Sequence, residues 1–128
     1  MPSKKLENFS RRNPELAPLV RKLADYIQWL SEQNIKELIP RVAAAQLGVS
    51  EADTLGLLSL FQDAGIVEPR YHLVCKATGS VLGSYRSLDE VPDSIECNVC
   101  GKEHDSDDLR VDLAFEITPQ GRAANAAA

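Results

Sequence analysis

The segment AAAQLGVSEADTLGLLSLFQDAGIVEP, residues 43–69, holds two helix signals separated by a turn of only Gly48-Val49-Ser50. Pro40 stands at a first helical position for the earlier helix, which runs through Arg41, Val42 and three alanines to Gly48, a residue suited to a left-handed cap. The hydroxyl of Ser50 can cap the later helix, with Asp53 placed as the reciprocal partner of a capping box. That helix is expected to continue through Leu57, Leu58, Phe61 and Ala64 to Gly65. Small side chains at Ala43 and Ala44 let two helices cross closely, and Gly48 permits the sharp reversal between them.

Upstream, Leu16, Leu19, Val20, Leu23, Ile27 and Leu30 recur at the spacing of one helix face, predicting an amphipathic helix to about Gln33. Asn13-Pro14 could open it, but Pro18 would then clash inside the helix, so the start falls between these prolines. Tyr26 and Trp29 flank the apolar face and are read as the edge of the core. Residues 1–13 are polar and aperiodic and are expected to form a flexible basic arm ahead of a helical unit over 14–69.

Downstream of Gly65 the pattern becomes twofold. Tyr71, Leu73 and Cys75 alternate with His72, Val74 and Lys76, Thr78-Gly79 supplies a turn, and residues 81–85 read as the returning strand. Residues 87–92 suggest a short capped turn, 95–97 a brief strand and 111–117 a well-alternating last strand. An antiparallel β unit over 70–118 is therefore expected, followed by a low-complexity, disordered tail over 119–128.

The 43–69 segment resembles the helix-turn-helix of winged-helix proteins: Ala44 four residues before the turn glycine, apolar Val49, capping Ser50, then a Leu-rich helix ending in Gly-Ile-Val. The resemblance implies a tri-helical unit, with the hairpin of Tyr71 to Tyr85 standing where a wing would be. The expected fold class is α+β, a winged helix-turn-helix followed by a small antiparallel zinc-ribbon-like unit. That order resembles transcription factor E proteins, and ribbon-like tails with an incomplete first knuckle also look like accessory modules of bacterial multi-protein systems, including defence systems.

The ribbon expectation rests on the cysteines. Cys97-Asn98-Val99-Cys100-Gly101 is a C-x2-C-G knuckle, whose two thiolates can share one zinc while the glycine permits the turn. The second knuckle is incomplete, because Cys75-Lys76-Ala77-Thr78-Gly79 has Thr78 where a cysteine would stand, and a neutral hydroxyl is a poor zinc donor. His104 could complete a Cys3His set with Cys75, Cys97 and Cys100. His72 and Cys75 point to opposite faces of a regular strand and could share an ion only across a bulge. The alternative is a metal-free remnant with the cysteines as small buried hydrophobes. Thiol redox chemistry is a further reading, opposed by the acids after Gly101, which disfavour a thiolate.

The 128 residues are 44% hydrophobic and 26% charged, the make-up of an ordinary globular domain, with no apolar run near the ~20 residues of a bilayer span. No membrane association is expected, and the basic start without an apolar stretch makes the cytoplasm the expected compartment. Residues 1–50 carry 8 Lys/Arg against 5 Asp/Glu, and residues 51–128 carry 6 against 14. An acidic second half is the reverse of a phosphate-facing surface. Between Glu51 and Ala64 there is no Lys, Arg, His or Asn to read a base edge. No nucleotide-binding or hydrolase motif occurs, so no enzyme is expected.

The chain is therefore expected to be a non-catalytic adaptor or regulatory module docking another protein through Leu55, Ser59, Gln62 and Asp63, with a homo-oligomer as a further arrangement. The alternative is a DNA-binding regulator using Lys4, Lys5, Arg11 and Arg12 of the arm, with Arg70, Lys76 and Arg86 of the wing.

Overall fold

The computed structural model describes residues 4–96, 101, 103–104 and 107–122, with residues 103 and 104 placed through their backbone. The fold is mixed α+β and divides into two compact units: Met1–Glu68 with Phe115–Ala128, and Pro69–Ala114. The chain leaves the first unit after Glu68 and returns to it at Phe115.

The first unit begins with helix α1, Lys4–Arg12, followed by α2, Ala17–Glu32, and the two-residue strand β1, Glu37–Leu38. Helix α3 spans Pro40–Leu47 and α4 spans Glu51–Asp63. The arm expected over 1–13 is thus helical where it is described. Glu7 in its first turn and Arg11 and Arg12 in its last match the helix dipole, and Leu6 is fully buried. Pro18 sits in the first turn of α2, where its missing N–H costs nothing, and this resolves the choice between the two prolines.

Helices α2, α3 and α4 pack in succession around Leu23, Ile27, Ala43, Ala44, Leu58 and Phe61. Gly48 adopts the left-handed conformation at φ 72°, and its N–H donates to the Ala44 carbonyl at 2.9 Å. Ser50 Oγ accepts the Asp53 N–H at 3.1 Å, the capping bond read from the sequence. Thr54, wholly buried, donates its hydroxyl to the Ser50 carbonyl one turn back, so its burial leaves no polar atom unsatisfied.

The second unit holds most of strand β2, Val67–Cys75, all of β3, Val81–Tyr85, and a 3-10 turn at Leu88–Glu90. Strands β4, Ile95–Glu96, and β5, Glu103–His104, pair antiparallel, and β6 is Leu109–Ile117. One four-stranded sheet has the order β1-β6-β2-β3; β1 pairs antiparallel with β6, and β2 with β3. The chain passes between the units twice, along β2 and along β6.

The regular alternation expected for residues 71–76 fails at one point. Leu73, Val74 and Cys75 are buried in succession. The β2–β3 register also shifts here, with Leu73 paired to Gly83 and Val74 to Val81, so the extra residue is Leu82 of β3. Both long strands also begin earlier than the patterns suggest, β2 at Val67 and β6 at Leu109.

At the other end, residues 119–122 are helical instead of belonging to a disordered tail, and residues 123–128 lie outside the described set. Gly121 is buried there, and a Cβ would run into the Ile66 carbonyl oxygen. No helix among the described residues is long and apolar enough to cross a membrane.

Candidate functional site

The outward side of α4 follows from its inward side. With Thr54, Leu57, Leu58 and Phe61 buried, the 3.6-residue period turns Ser59, Gln62 and Asp63 to solvent and leaves Leu55 half-buried at their edge. The four residues expected to meet a partner therefore form one stripe, at i, i+4, i+7 and i+8. The first turn of the same helix exposes Glu51, Ala52 and Asp53, and one turn on, Gly56 adds no side chain.

The resulting surface has a short apolar ledge at Leu55, hydroxyl and amide donors at Ser59 and Gln62, and carboxylates toward both ends. Glu51 and Asp53 complement the positive N-terminal end of the helix. At the C-terminal end Lys5 Nζ of α1 donates to the Asp63 carbonyl at 3.0 Å, placing a cation where the dipole is negative and tying α1 to α4.

The basic residues of the DNA-binding alternative fall into two sets. Lys4, Lys5, Arg11 and Arg12 lie on α1 in the first unit, where Arg11 Nη2 donates to Asn8 Oδ1 at 2.9 Å. Arg70, Lys76 and Arg86 lie in the second unit. Arg70 Nη1 donates to the Pro69 carbonyl at 3.0 Å and Lys76 Nζ to the Asp107 carbonyl at 3.0 Å. Arg86 is exposed, and its backbone N–H donates to Glu90 Oε2 at 3.3 Å.

Of the four candidate zinc ligands, only Cys75 has a described side chain, and it is wholly buried at the end of β2. Its backbone closes the following turn, with Gly79 N–H donating to the Cys75 carbonyl at 2.7 Å and Cys75 N–H donating to the Ser80 carbonyl at 3.0 Å. His104 belongs to β5 opposite Ile95, and Cys97 and Cys100 lie outside the described residues. Gly101 is left-handed at φ 74°. No group of three or more His, Cys, Asp or Glu able to hold a metal occurs among the described residues. His72 is turned to a different purpose, with Nδ1 2.6 Å from Ser84 Oγ across the β2–β3 pair.

Comparison of the chain with protein-family models, curated proteins and solved structures gives no match. One feature escaped the sequence reading. Trp29, expected at the core edge, is 51% exposed and stacks on Tyr26 beside a groove between α2 and α3. The signal was present in the spacing, because Lys22, Asp25, Tyr26 and Trp29 recur at helical intervals on the side away from Leu23, Ile27 and Leu30.

Proposed function

We propose that the chain is a non-catalytic docking module of winged-helix type, in which the outer stripe of α4 meets another protein. The observation that carries this reading is the chemistry of that stripe: Leu55, Ser59, Gln62 and Asp63, flanked by Glu51 and Asp53 and without a cation from Glu51 to Ala64. A helix inserted into a major groove would bring these carboxylates against phosphates and offer no Arg, Lys or Asn to a base edge. A protein surface with a small apolar recess and basic residues suits the same stripe.

Fluorescence anisotropy with random duplex DNA at low salt is expected to show negligible binding. Micromolar affinity that falls steeply with added salt would replace this reading with the DNA-binding regulator. A partner captured by the wild-type chain should be lost on Leu55→Arg or Ser59→Arg and kept on Arg12→Ala.

The C-x2-C-G spacing of Cys97, Cys100 and Gly101, with Gly101 left-handed, favours a secondary proposal that a zinc ion is held by Cys75, Cys97, Cys100 and His104. Elemental analysis is expected to give one zinc per chain, lost on Cys97→Ser. Absence of zinc in the wild-type protein would leave the cysteines as metal-free packing residues.

A further inference from the structure

The groove between α2 and α3 lies on residues that the docking stripe of α4 does not use. It encloses about 530 Å³ and is lined by Lys22, Asp25, Tyr26 and Trp29 of α2 with Gln46 and Leu47 of α3. The indole of Trp29 is the chain's only tryptophan and stands half in solvent. The Tyr26 ring lies against it, with centroids 6.2 Å apart and planes within 15°. Stacked aromatic rings on a helix surface present a large apolar area with polar edges, the composition of an interface anchor.

What distinguishes this stripe is its order. Lys22, Asp25, Tyr26 and Trp29 fall at i, i+3, i+4 and i+7, along one line of the helix. A second α2 laid antiparallel over the line, with a two-fold axis passing between residues 25 and 26, brings each position to its complement. Lys22 meets the partner's Trp29, and Tyr26 meets the partner's Asp25. An ammonium over an indole face and a phenol donating to a carboxylate are both favourable pairings, and the symmetry makes each occur twice. The stripe is complementary to itself in one orientation, a property that a surface for an unrelated partner has no reason to possess.

We infer that the Lys22–Trp29 stripe of α2 is a two-fold docking face for a second copy of this chain, closed by Lys22 over the partner's Trp29 and Tyr26 against the partner's Asp25. The face leaves the outer stripe of α4 uncommitted, so a self-associated protein can still engage another protein there.

Sedimentation equilibrium of the full chain from low micromolar to near-millimolar concentration tests this, with tryptophan emission read on the same samples. The expected result is a mass rising from one chain to two, with emission moving to shorter wavelength as Trp29 is covered. Because both side chains are exposed, Trp29→Ala and Lys22→Glu are expected to fold normally and to weaken association roughly tenfold or more. The exchanged variant, Lys22→Trp with Trp29→Lys, preserves every symmetric pairing and is expected to associate like wild type. A single-chain mass at every concentration overturns the inference. So does association unaffected by Lys22→Glu, or loss of association in the exchanged variant while its thermal unfolding is unchanged.

Discussion

The hydroxyl of Thr118 donates to the carbonyl of Gly65 at 2.7 Å, with the Ile66 carbonyl sharing it at 3.1 Å, and it accepts the Gly121 N–H at 2.8 Å. One buried side chain thus joins the segment leaving α4 to the segment leaving β6, two stretches more than fifty residues apart. Gly65 is left-handed at φ 78°, a turn that directs its carbonyl out of helical pairing and makes it available to the hydroxyl.

Replacing Thr118 by Val keeps the shape and removes all three bonds. The buried Gly121 N–H then lacks its partner, and the loss is expected to be about 1–3 kcal/mol. Urea unfolding should show a lower midpoint for Thr118→Val, with Thr118→Ser recovering most of it. An unchanged midpoint would mean that the Thr118 hydroxyl contributes nothing to stability.

Leu6 makes α1 part of the core, since it is wholly buried. Leu6→Ala is expected to lower stability by about 2–5 kcal/mol, the range for emptying a leucine site. Glu7→Ala on the exposed side of the same helix should change it by a few tenths. Equal effects from the two substitutions would return residues 4–12 to the status of an arm.

The turn between α3 and α4 offers two separable tests. Ser50→Ala removes the oxygen that accepts Asp53 N–H and should cost about 0.5–2 kcal/mol. Gly48→Ala meets open space, so its expected cost, about 1–2 kcal/mol, comes from the left-handed backbone alone. Thermal unfolding of the single and double variants should be close to additive, provided the cap and the turn act independently.

Burial raises the pKa of Tyr26 above its ordinary value near 10. The folded state therefore holds the phenol proton after the unfolded chain has released it. The associated stability is fully present below the ordinary tyrosine value and is lost as pH rises through the folded one. Phenolate absorbance during alkaline titration should show a late component that Tyr26→Phe removes.

Much of the helical unit was legible because its signals are local. Pro40, Gly48 and Ser50 each act within one turn of their own position, and the apolar period of α2 is unbroken from Val20 to Leu30. The outer stripe of α4 was legible for the same reason, since three exposed positions and the half-buried Leu55 follow once the buried ones are known. Helix α1 was missed because its nine residues offer one buried leucine, too little for periodicity to register, although the placement of Glu7, Arg11 and Arg12 was a usable sign. The bulge at Leu82, opposite Leu73 and Val74, depends on how β2 meets β3, and strand β1 has only two residues. Neither leaves a trace in its own segment.

The return of the chain at Phe115 makes the second unit a nested insertion in the first. Leu38 of β1 finds its strand partner at Phe115, and Gly65 finds its hydroxyl at Thr118, so the helical unit lacks both contacts until residues 115–122 have been synthesised. On the ribosome, residues 69–114 emerge and can begin to fold before the helices ahead of them are closed. Early arrest of translation within that span would yield an unlatched helical unit, a species for which chaperones and proteases compete.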